Sequence, residues 1–405
     1  MQDTPKRLES GTPAFRQLNL ALFAAGFATF AILYCVQPLL PIFSQEFHVS
    51  PAVSSLSLSL TTGLLAVSML VTGTLSDVWG RKPVMVASLL SSAALTILSA
   101  AAPNWPLLLM ARILMGVTLS GLPAVAMAYV SEEVQPKSIG LAMGLFIGGN
   151  AIGGMAGRIL GGALTDLGSW RLAVGAIGAL GLIAALLAWR SLPNSVHFLP
   201  RRANPTELLR SLADHVRDRG LRSLYAEAFL LMGAFVTLYN YLGYRLIAPP
   251  YDLSQTAIGA IFVIYLVGTA SSAWVGELAG RLGRPRIFWV MIAITLGGAL
   301  LTLFGSLVAI LAGMVIVTFG FFAAHSVASS WVGHRARTAK AQASALYLFC
   351  YYLGSSAIGT LGGLFWARFG WGGVVALVSV LLLAALGLGL RLSALPPGAA
   401  DRDTA

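Results

Sequence analysis

Four ionisable side chains stand in long apolar stretches of this 405-residue chain: Arg112, Arg158, Glu227 and His325. A charge near the middle of a bilayer costs roughly 2.5–3.5 kcal/mol, so such a residue normally faces a cavity or a partner. The imidazole of His325 is of a type that titrates near neutral pH. Glu227 is a carboxylic acid at the beginning of an apolar stretch. Glu227 and His325 are therefore candidates to carry a proton. The alternative for Glu227 is a carboxylate hydrated at the membrane surface.

Each of the two arginines has two explanations. Arg112 either faces the interior of a membrane protein or snorkels to water from near a helix end. Arg158 either binds an anionic substrate or pairs with Glu46, and we favour the pair. Four glycines recur here at every fourth position, which allows another helix to approach closely: Gly149, Gly153, Gly157 and Gly161.

A short loop carries a second group of residues, in the pattern Gly73-x-Leu75-x-Asp77-x-x-Gly80-Arg81-Lys82. Two glycines allow a tight turn between closely packed helices. An aspartate near the membrane interface can lie at the positive N-terminus of another helix, and the arginine can bridge to an acid. The alternative is an ordinary basic turn between two membrane spans.

Composition indicates a membrane protein. Hydrophobic residues make up 57% of the chain and charged residues only 10%, with a mean hydropathy of +0.81, whereas soluble domains are about 25% charged. This excludes an ordinary soluble enzyme, a disordered protein and, despite the net charge of +11, a nucleic-acid-binding protein. Cys35 and Cys350 lie in apolar segments far apart in the sequence, so we expect small buried residues rather than a disulfide.

The apolar stretches predict an all-α membrane protein. Every backbone N–H and C=O in hydrocarbon must be bonded internally, and no stretch alternates like a barrel strand. We predict twelve transmembrane helices, at residues 18–40, 53–75, 84–102, 107–130, 139–164, 171–190, 223–246, 257–279, 287–305, 307–330, 341–364 and 372–391.

The basic residues predict the orientation of these spans. Of the 26 lysines and arginines, only Arg171, Arg245 and Arg368 fall on the side opposite to the termini, and Arg112 and Arg158 fall inside spans. Because cytoplasmic loops carry an excess of Lys and Arg, we expect both termini in the cytoplasm.

The chain also contains an internal repeat. The stretch from Gly73 to Arg81 recurs from Gly276 to Arg284, and the Gly-Gly before Trp170 recurs before Trp371. Two landmarks separated by about half of the chain predict two parallel six-helix halves. The predicted segments are an N-terminal cytoplasmic tail (1–17), a first bundle (18–190), a central cytoplasmic loop (191–222), a second bundle (223–391) and a C-terminal cytoplasmic tail (392–405).

The central loop carries a helix-start pattern. Asn204, Pro205 and Glu207 are typical of an N-cap, a first helical position and a capping box. We expect a short helix on the inner membrane surface, with a flexible linker as the alternative.

The loop between Gly73 and Lys82 resembles the signature of the major facilitator superfamily, with Val78 in place of the usual arginine. The resemblance covers nearly the whole chain and implies the major facilitator fold. In that family the aspartate faces the start of helix eleven, and the arginine pairs with an acid at the end of helix four. The resemblance therefore assigns a conformational latch to seven residues: Gly73, Asp77, Gly80, Arg81, Lys82, Glu132 and Glu133. Gly280 replaces the aspartate in the second copy, so we expect the latch to depend mainly on the first.

Three runs resemble more narrowly the YnfM-like branch of inner-membrane exporters, the acriflavine-resistance type: Tyr34–Pro38, Gly148–Arg158 and Ala323–Trp331. The spacing from Arg112 to Gly116 resembles a family motif whose arginine is linked to proton movement in antiporters. The segment around Gly148 resembles the antiporter motif of drug exporters, except that Gly149 and Ile152 replace its proline and a glycine.

The spans that line the cavity in this superfamily carry polar and aromatic residues here. Such a lining suits flat amphipathic molecules, although each aromatic residue alone is more typical of packing. We predict these substrate or coupling-ion residues: Tyr34, Gln37, Arg112, Asn150, Arg158, Tyr239, Asn240, Tyr244, His325, Tyr347 and Tyr351.

We expect a secondary active transporter that moves a small, amphipathic or drug-like molecule across the inner membrane by alternating access. Proton-coupled export is the preferred reaction, and a proton symporter or uniporter for nutrient uptake is the alternative. The sequence has no P-loop, so we expect the proton gradient as driving force, with no cofactor and no metal. It has no H-E-x-x-H motif, and no G-x-S-x-G motif with a partner histidine, that would indicate an enzyme. The expected partners are the substrate and membrane lipid, without nucleic acid, and we expect a monomer.

Overall fold

A computed structural model describes residues 7–198, 205–336 and 338–393 of the chain. Parts of three predicted segments lie outside the described residues. They are residues 1–6 of the N-terminal tail, residues 199–204 of the central loop and residues 394–405 of the C-terminal tail.

The described chain is almost entirely helical. The first half contains α1 (Pro13–Tyr34), α2 (Leu40–Glu46), α3 (Pro51–Trp79), α4 (Arg81–Ala100), α5 (Trp105–Leu119), α6 (Gly121–Glu133), α7 (Pro136–Leu167) and α8 (Trp170–Ser191). The rest contains α9 (Pro205–Arg217), α10 (Arg219–Ile247), α11 (Gln255–Ala260), α12 (Tyr265–Leu282), α13 (Arg284–Leu301), α14 (Leu307–Arg335) and α15 (Lys340–Ser393). Two short 3-10 turns are Gln37–Leu39 and Ile261–Ile264.

Within the described residues, eleven helical runs are long and apolar enough to cross a membrane. The last run, α15, is interrupted at Gly370, whose φ of 59° and ψ of −150° are not helical. Residues 340–369 and 371–393 therefore form two spans, and the total is the predicted twelve. This confirms the all-α, twelve-span fold class.

Most helices begin a few residues before the predicted spans, and at several of them a polar cap precedes the apolar stretch. The side chains of Thr12, Asn104 and Ser169 accept hydrogen bonds from backbone N–H groups at the starts of α1, α5 and α8. Such caps satisfy N–H groups that have no partner within the helix. A hydropathy pattern does not register these polar turns.

The described chain divides into two compact units, and each takes a short segment from the other half of the sequence. Unit 1 contains residues up to 42, residues 67–203 and residues 254–260. Unit 2 contains residues 43–66, 204–253 and the chain from 261 onward. The two predicted six-helix halves therefore do not coincide fully with the compact units.

The internal repeat is visible in the backbone. Gly80 precedes α4 with a φ of 93°, and Gly283 precedes α13 with a φ of 91°. L-residues with a side chain rarely adopt this region, so glycine is favoured at both turns. The same turn therefore recurs at equivalent positions of the two halves.

The predicted central loop contains α9, followed directly by α10 from Arg219. The location of α9 on the membrane surface stays a prediction. Asp218 separates the two helices and caps α10, because its Oδ1 accepts a hydrogen bond from the Leu221 N–H at 2.8 Å. The same oxygen accepts a hydrogen bond from Arg335 Nε at 2.8 Å, which ties the start of α10 to the end of α14.

Asp218 should make the stability of unit 2 sensitive to acid. Partial burial acts to raise the pKa of Asp218, but hydrogen bonds from Arg335 and Leu221 outweigh burial and lower it below its usual value. A lowered pKa stabilises the fold above the ordinary aspartate pKa of about 3.9, and this contribution is lost as pH falls through the folded-state pKa. We expect Asp218→Asn to keep the cap, lose up to about 1 kcal/mol at neutral pH and flatten the acid side of the melting profile.

The check is the melting temperature of purified protein between pH 3 and 7. Asp218→Ala serves as the comparison, since it also removes the cap and should cost about 1 kcal/mol more. An Asp218→Asn profile identical to that of the unchanged protein would contradict the assignment.

Candidate functional site

Arg81 is the centre of the predicted latch residues. Its guanidinium makes an ion pair with Asp77 at 2.7 Å and donates to both carboxylate oxygens of Glu132, at 3.1 and 2.8 Å. It also donates to the Ser76 hydroxyl at 2.6 Å. Bidentate Arg–carboxylate contacts fix geometry as well as charge. The ends of α3 and α6 are therefore joined through one arginine at the start of α4.

Glu133 has a different partner from its neighbour Glu132. Its carboxylate accepts from the His197 backbone N–H at 3.0 Å and lies 2.9 Å from His197 Nδ1. Phe198 lies next, with its ring centroid 5.3 Å from the Arg81 guanidinium carbon. The sequence named both glutamates as candidates for the arginine. The structure places Glu132 on Arg81 and uses Glu133 to hold the segment that follows α8.

The remaining latch residues differ in their surroundings. Gly80 makes the positive-φ turn, as the tight-turn argument requires. A Cβ atom on Gly73 would meet no described atom within 4 Å, so Gly73 is not at a close helix contact in this part of the structure. Lys82 donates to the Asn194 side-chain oxygen at 3.3 Å.

The equivalent loop of unit 2 uses a different pair. Arg284, the counterpart of Arg81, lies 2.9 Å from His334 Nε2. His334 Nδ1 lies 2.8 Å from the Ser330 carbonyl oxygen, so Nδ1 donates and Nε2 accepts from Arg284. An imidazole therefore stands where unit 1 has a carboxylate, in addition to the glycine that replaces Asp77.

Arg112 is fully buried and binds backbone. Its two terminal nitrogens donate to the carbonyl oxygens of Ile32 at 3.1 Å and Leu33 at 2.9 Å. These carbonyls lie in the last turn of α1, where α1 ends at Tyr34 and their helical partners are lost. With 0% of its surface exposed, Arg112 does not snorkel to water, so that explanation is wrong.

Arg158 is also buried, with 2% of its surface exposed. Its Nε donates to the Gln37 side-chain oxygen at 2.6 Å, and Nη1 donates to the Gly154 carbonyl at 2.7 Å. The guanidinium carbon lies 4.0 Å from the Tyr34 ring centroid, which is a cation–π contact. Three of the predicted site residues, Tyr34, Gln37 and Arg158, are therefore in contact with one another through the Arg158 guanidinium. Glu46 is exposed at the end of α2, and its pairing with Arg158 stays a prediction.

The glycine series of α7 lies against α1, as the four-residue spacing predicts. A Cβ atom on Gly157 would lie 2.6 Å from Ala31 Cα, and one on Gly161 would lie 2.7 Å from the Cys35 carbonyl oxygen. Gly149 and Gly153 make equivalent approaches to Phe23 and Phe27. The close approach lets Arg158 reach α1. Asn150 packs on Gly26, and its buried Oδ1 has no described hydrogen-bond partner.

Asp166 is a site residue that the sequence argument missed. Its carboxylate accepts from the backbone N–H of Gln255 at 3.2 Å and of Thr256 at 2.7 Å, and from the Thr256 hydroxyl at 2.7 Å. It thereby caps α11, which belongs to the second half of the sequence but to unit 1. The sequence held one indication of this contact: Asp166 follows predicted span five and Gln255 precedes predicted span eight, so both lie on the same predicted side of the membrane.

Unit 2 holds an aromatic cluster around His325. His325 Nδ1 lies 2.9 Å from the Tyr347 hydroxyl, and the Tyr351 ring centroid lies 4.7 Å from that of His325. Tyr239 hydrogen-bonds the Thr318 hydroxyl at 2.7 Å. The cluster also contains residues that the sequence argument did not name: Phe235, Phe262, Tyr265, Phe321 and Phe322. The i, i+4 spacing of Phe235 with Tyr239 and of Phe321 with His325 was the available signal.

Tyr244, another candidate on α10, contacts a different set of residues. The Tyr244 hydroxyl lies 2.6 Å from the Ser44 hydroxyl, and its ring centroid lies 5.9 Å from that of Trp366. Asn240 is buried, with 1% of its surface exposed. Within unit 2 the structure therefore brings together Tyr239, His325, Tyr347 and Tyr351, but not Tyr244.

Glu227 is buried in unit 2, with 0% of its surface exposed. Neither carboxylate oxygen has a hydrogen-bond partner among the described residues. Its Oε1 lies beside Gly389 of α15, where a Cβ atom would be 3.3 Å away and 3.5 Å from the Phe288 ring. The interpretation of Glu227 as a hydrated surface group is therefore wrong. Both cysteines are free thiols, with Cys35 buried and Cys350 half-buried.

Comparison with known proteins gives one family. A family model described as Major Facilitator Superfamily matches residues 22–359. The transporter YybF of Bacillus subtilis, described as an uncharacterized MFS-type transporter, is 52% identical over 381 residues, covering 94% of each chain. The inner membrane transport protein YnfM of Escherichia coli is 52% identical over 385 residues, covering 95% of this chain and 92% of that protein.

Two solved structures share the fold. A bacterial homologue of the human lysosomal transporter Spinster, in an inward-facing and occupied conformation, superposes with a TM-score of 0.76 at 16% identity. The alignment covers 95% of this chain and 98% of that one. The human organic anion transporter MFSD10 gives a TM-score of 0.68 at 19% identity, covering 93% and 100%. At these identities the likeness concerns the fold alone.

Proposed function

Because the chain belongs to the Major Facilitator Superfamily, we propose that it couples the export of a small amphipathic molecule to the proton gradient of the inner membrane. Its relatives are named as transporters and not as enzymes, so the chain is a multi-pass membrane transporter. Export, proton coupling and the class of substrate belong to the proposal, as does the cytoplasmic location of both termini.

The observation that carries the proposal is the buried carboxyl of Glu227 in the same unit as the aromatic cluster around His325. An ionised carboxylate without hydrogen bonds is expensive to bury, whereas a neutral carboxyl is much less so. A group of this kind binds a proton when buried and releases it when water reaches it. The aromatic faces of Tyr239, Tyr351 and Phe321 suit flat apolar molecules, with hydroxyl and imidazole groups for orientation.

Purified protein in proteoliposomes tests the function. Currents on solid-supported membranes would be recorded for lipophilic cations, anions and sugars under an imposed pH gradient. We expect a response only with amphipathic compounds and only when substrate and protons move in opposite directions; a one-for-one exchange of a proton for a monovalent cation carries no net charge and is followed by the pH change inside the vesicles. Sugar-dependent current, or substrate moving together with protons, would instead support uptake. A deletion strain gives the parallel test: sensitivity to dyes supports export, and failure to grow on one carbon source supports uptake.

The latch residues have a role in the proposed alternating access. Asp77 contributes one carboxylate oxygen to Arg81, and Asp77→Asn removes the charge while keeping the shape. We expect the variant to fold normally but to turn over at least about fivefold more slowly, at the lower end of typical coupling between a switching contact and a distant site. The measurement is initial transport rate per folded protein in proteoliposomes.

Glu277→Gln is the matched control. Glu277 forms an exposed i, i+4 ion pair with Arg281 at 2.5 Å in the second half, and surface pairs of this type contribute little. Its turnover should stay unchanged. Normal turnover in Asp77→Asn would remove the support for a latch at this loop.

A further inference from the structure

A groove of about 610 Å³ lies on unit 1, and two of the latch residues, Gly80 and Lys82, are part of its lining. It is lined by the ends of α3 and α8, the first turns of α4 and the segment after α8, including Trp79, Lys82, Val86, Trp189, Ser195 and Phe198. The volume is within the roughly 300–1,000 Å³ range of small-molecule sites. We propose that this groove binds the phosphate headgroup and upper acyl chains of an anionic phospholipid.

The charged end of the groove is suited to a phosphate. Lys82 lies there, and its described hydrogen bond goes to the neutral side chain of Asn194 at 3.3 Å. Helix α4 begins after Gly80 without a side-chain cap, and because Pro83 has no N–H, the backbone donors of its first turn are those of Arg81 and Lys82. The buried Ser195 hydroxyl has no hydrogen-bond partner among the described residues. A phosphate would supply acceptors for all three.

No carboxylate lines the groove in the described part of the chain. The acidic residues nearest in sequence have other partners, since Asp77 and Glu132 pair with Arg81 and Glu133 contacts His197. The positive charge of Lys82 is therefore uncompensated within the groove. This charge complementarity favours an anionic headgroup over a zwitterionic one.

The rest of the groove is suited to a lipid rather than to a free anion. Trp79 and Trp189 are 65% and 56% exposed, at the ends of apolar membrane helices. Tryptophan at such positions is typical of the headgroup level of a bilayer. Val86 and Leu90 continue the groove along α4 toward the middle of the span, where acyl chains lie.

Native mass spectrometry of the full chain, titrated with phosphatidylglycerol, tests the proposal. The Lys82→Gln variant removes one positive charge from the groove. We expect its affinity for phosphatidylglycerol to be about fivefold weaker than that of the unchanged protein. Lys137→Gln is the control, because Lys137 is an exposed lysine at the start of α7 and does not line the groove. It should bind phosphatidylglycerol as the unchanged protein does. Phosphatidylcholine should bind the unchanged protein more weakly than phosphatidylglycerol does. Its affinity for the two variants should be the same.

Three results would overturn the proposal. Equal affinity of Lys82→Gln and the unchanged protein would mean that the groove does not hold the headgroup. The same loss in Lys137→Gln would mean that lipid follows net charge rather than this site. Displacement of phosphatidylglycerol by inorganic phosphate at millimolar concentration would assign the groove to a free anion. Melting temperatures of both variants, expected to be unchanged, ensure that folded proteins are compared.

Discussion

A Glu227→Gln variant should lose proton-driven transport at least tenfold while it keeps substrate exchange in the absence of a pH gradient. Glutamine preserves the size of the side chain and its polarity but cannot release a proton at physiological pH. Because the buried carboxyl has no described hydrogen-bond partner, the substitution breaks no described polar contact. We therefore expect the melting temperature at neutral pH to stay unchanged or to rise.

The decisive comparison is between two assays in the same proteoliposomes. Counterflow measures exchange of labelled for unlabelled substrate, and a pH jump measures proton-driven movement. Tyr225→Phe is the matched control, because Tyr225 is another buried residue of α10 whose hydroxyl has no described partner. Its coupling should be normal. If Glu227→Gln is driven by the pH gradient as well as the unchanged protein, the proton is carried elsewhere.

Removal of the Arg112 guanidinium should cost roughly 3–6 kcal/mol of stability. Two hydrogen bonds from a charged donor contribute about 1.5–3 kcal/mol each, and Arg112→Met would leave the carbonyls of Ile32 and Leu33 buried without that donor. Arg112→Lys keeps the charge with a shorter reach and should lose about half as much. Thermal unfolding in detergent, together with the yield of monodisperse protein, measures the effect.

The same pair of variants separates two roles for Arg112. If its function is to close the end of α1, stability falls from arginine to lysine to methionine, and transport per folded molecule is retained in Arg112→Lys. If Arg112 takes part in proton movement, as the family motif implies, Arg112→Lys would melt normally and lose coupling. A methionine variant as stable as the unchanged protein would contradict the structural role.

The sequence was sufficient for the architecture because hydropathy and glycine turns are local signals. The twelve spans follow from hydrocarbon-length apolar stretches, and the positive φ at Gly80 and Gly283 follows from a repeated Gly-Arg turn. The break of α1 at Cys35 did not follow, because the polar cap that permits it, Arg112, is distant in sequence.

Pairing between side chains was the less predictable part of the site. Gln37 and Arg158 were both named, yet their hydrogen bond depends on how the 3-10 turn after α1 lies against α7, which spacing does not give. Which of Glu132 and Glu133 pairs with Arg81 depends on the direction in which each side chain leaves α6, and this differs by about 100° between consecutive helical residues. Asp166 was missed because two of its three hydrogen bonds come from backbone N–H groups, which leave no mark in residue types.

The exchange of segments between the two compact units has a genetic consequence. The carboxylate of Asp166 is encoded in the first half of the gene, and the amides that it caps are encoded in the second half. A gene cut at the codons for residues 199–204 would yield two polypeptides, and neither would contain a whole unit, since 254–260 and 43–66 would each be on the other piece. We therefore expect functional protein from a split gene only when both polypeptides are present.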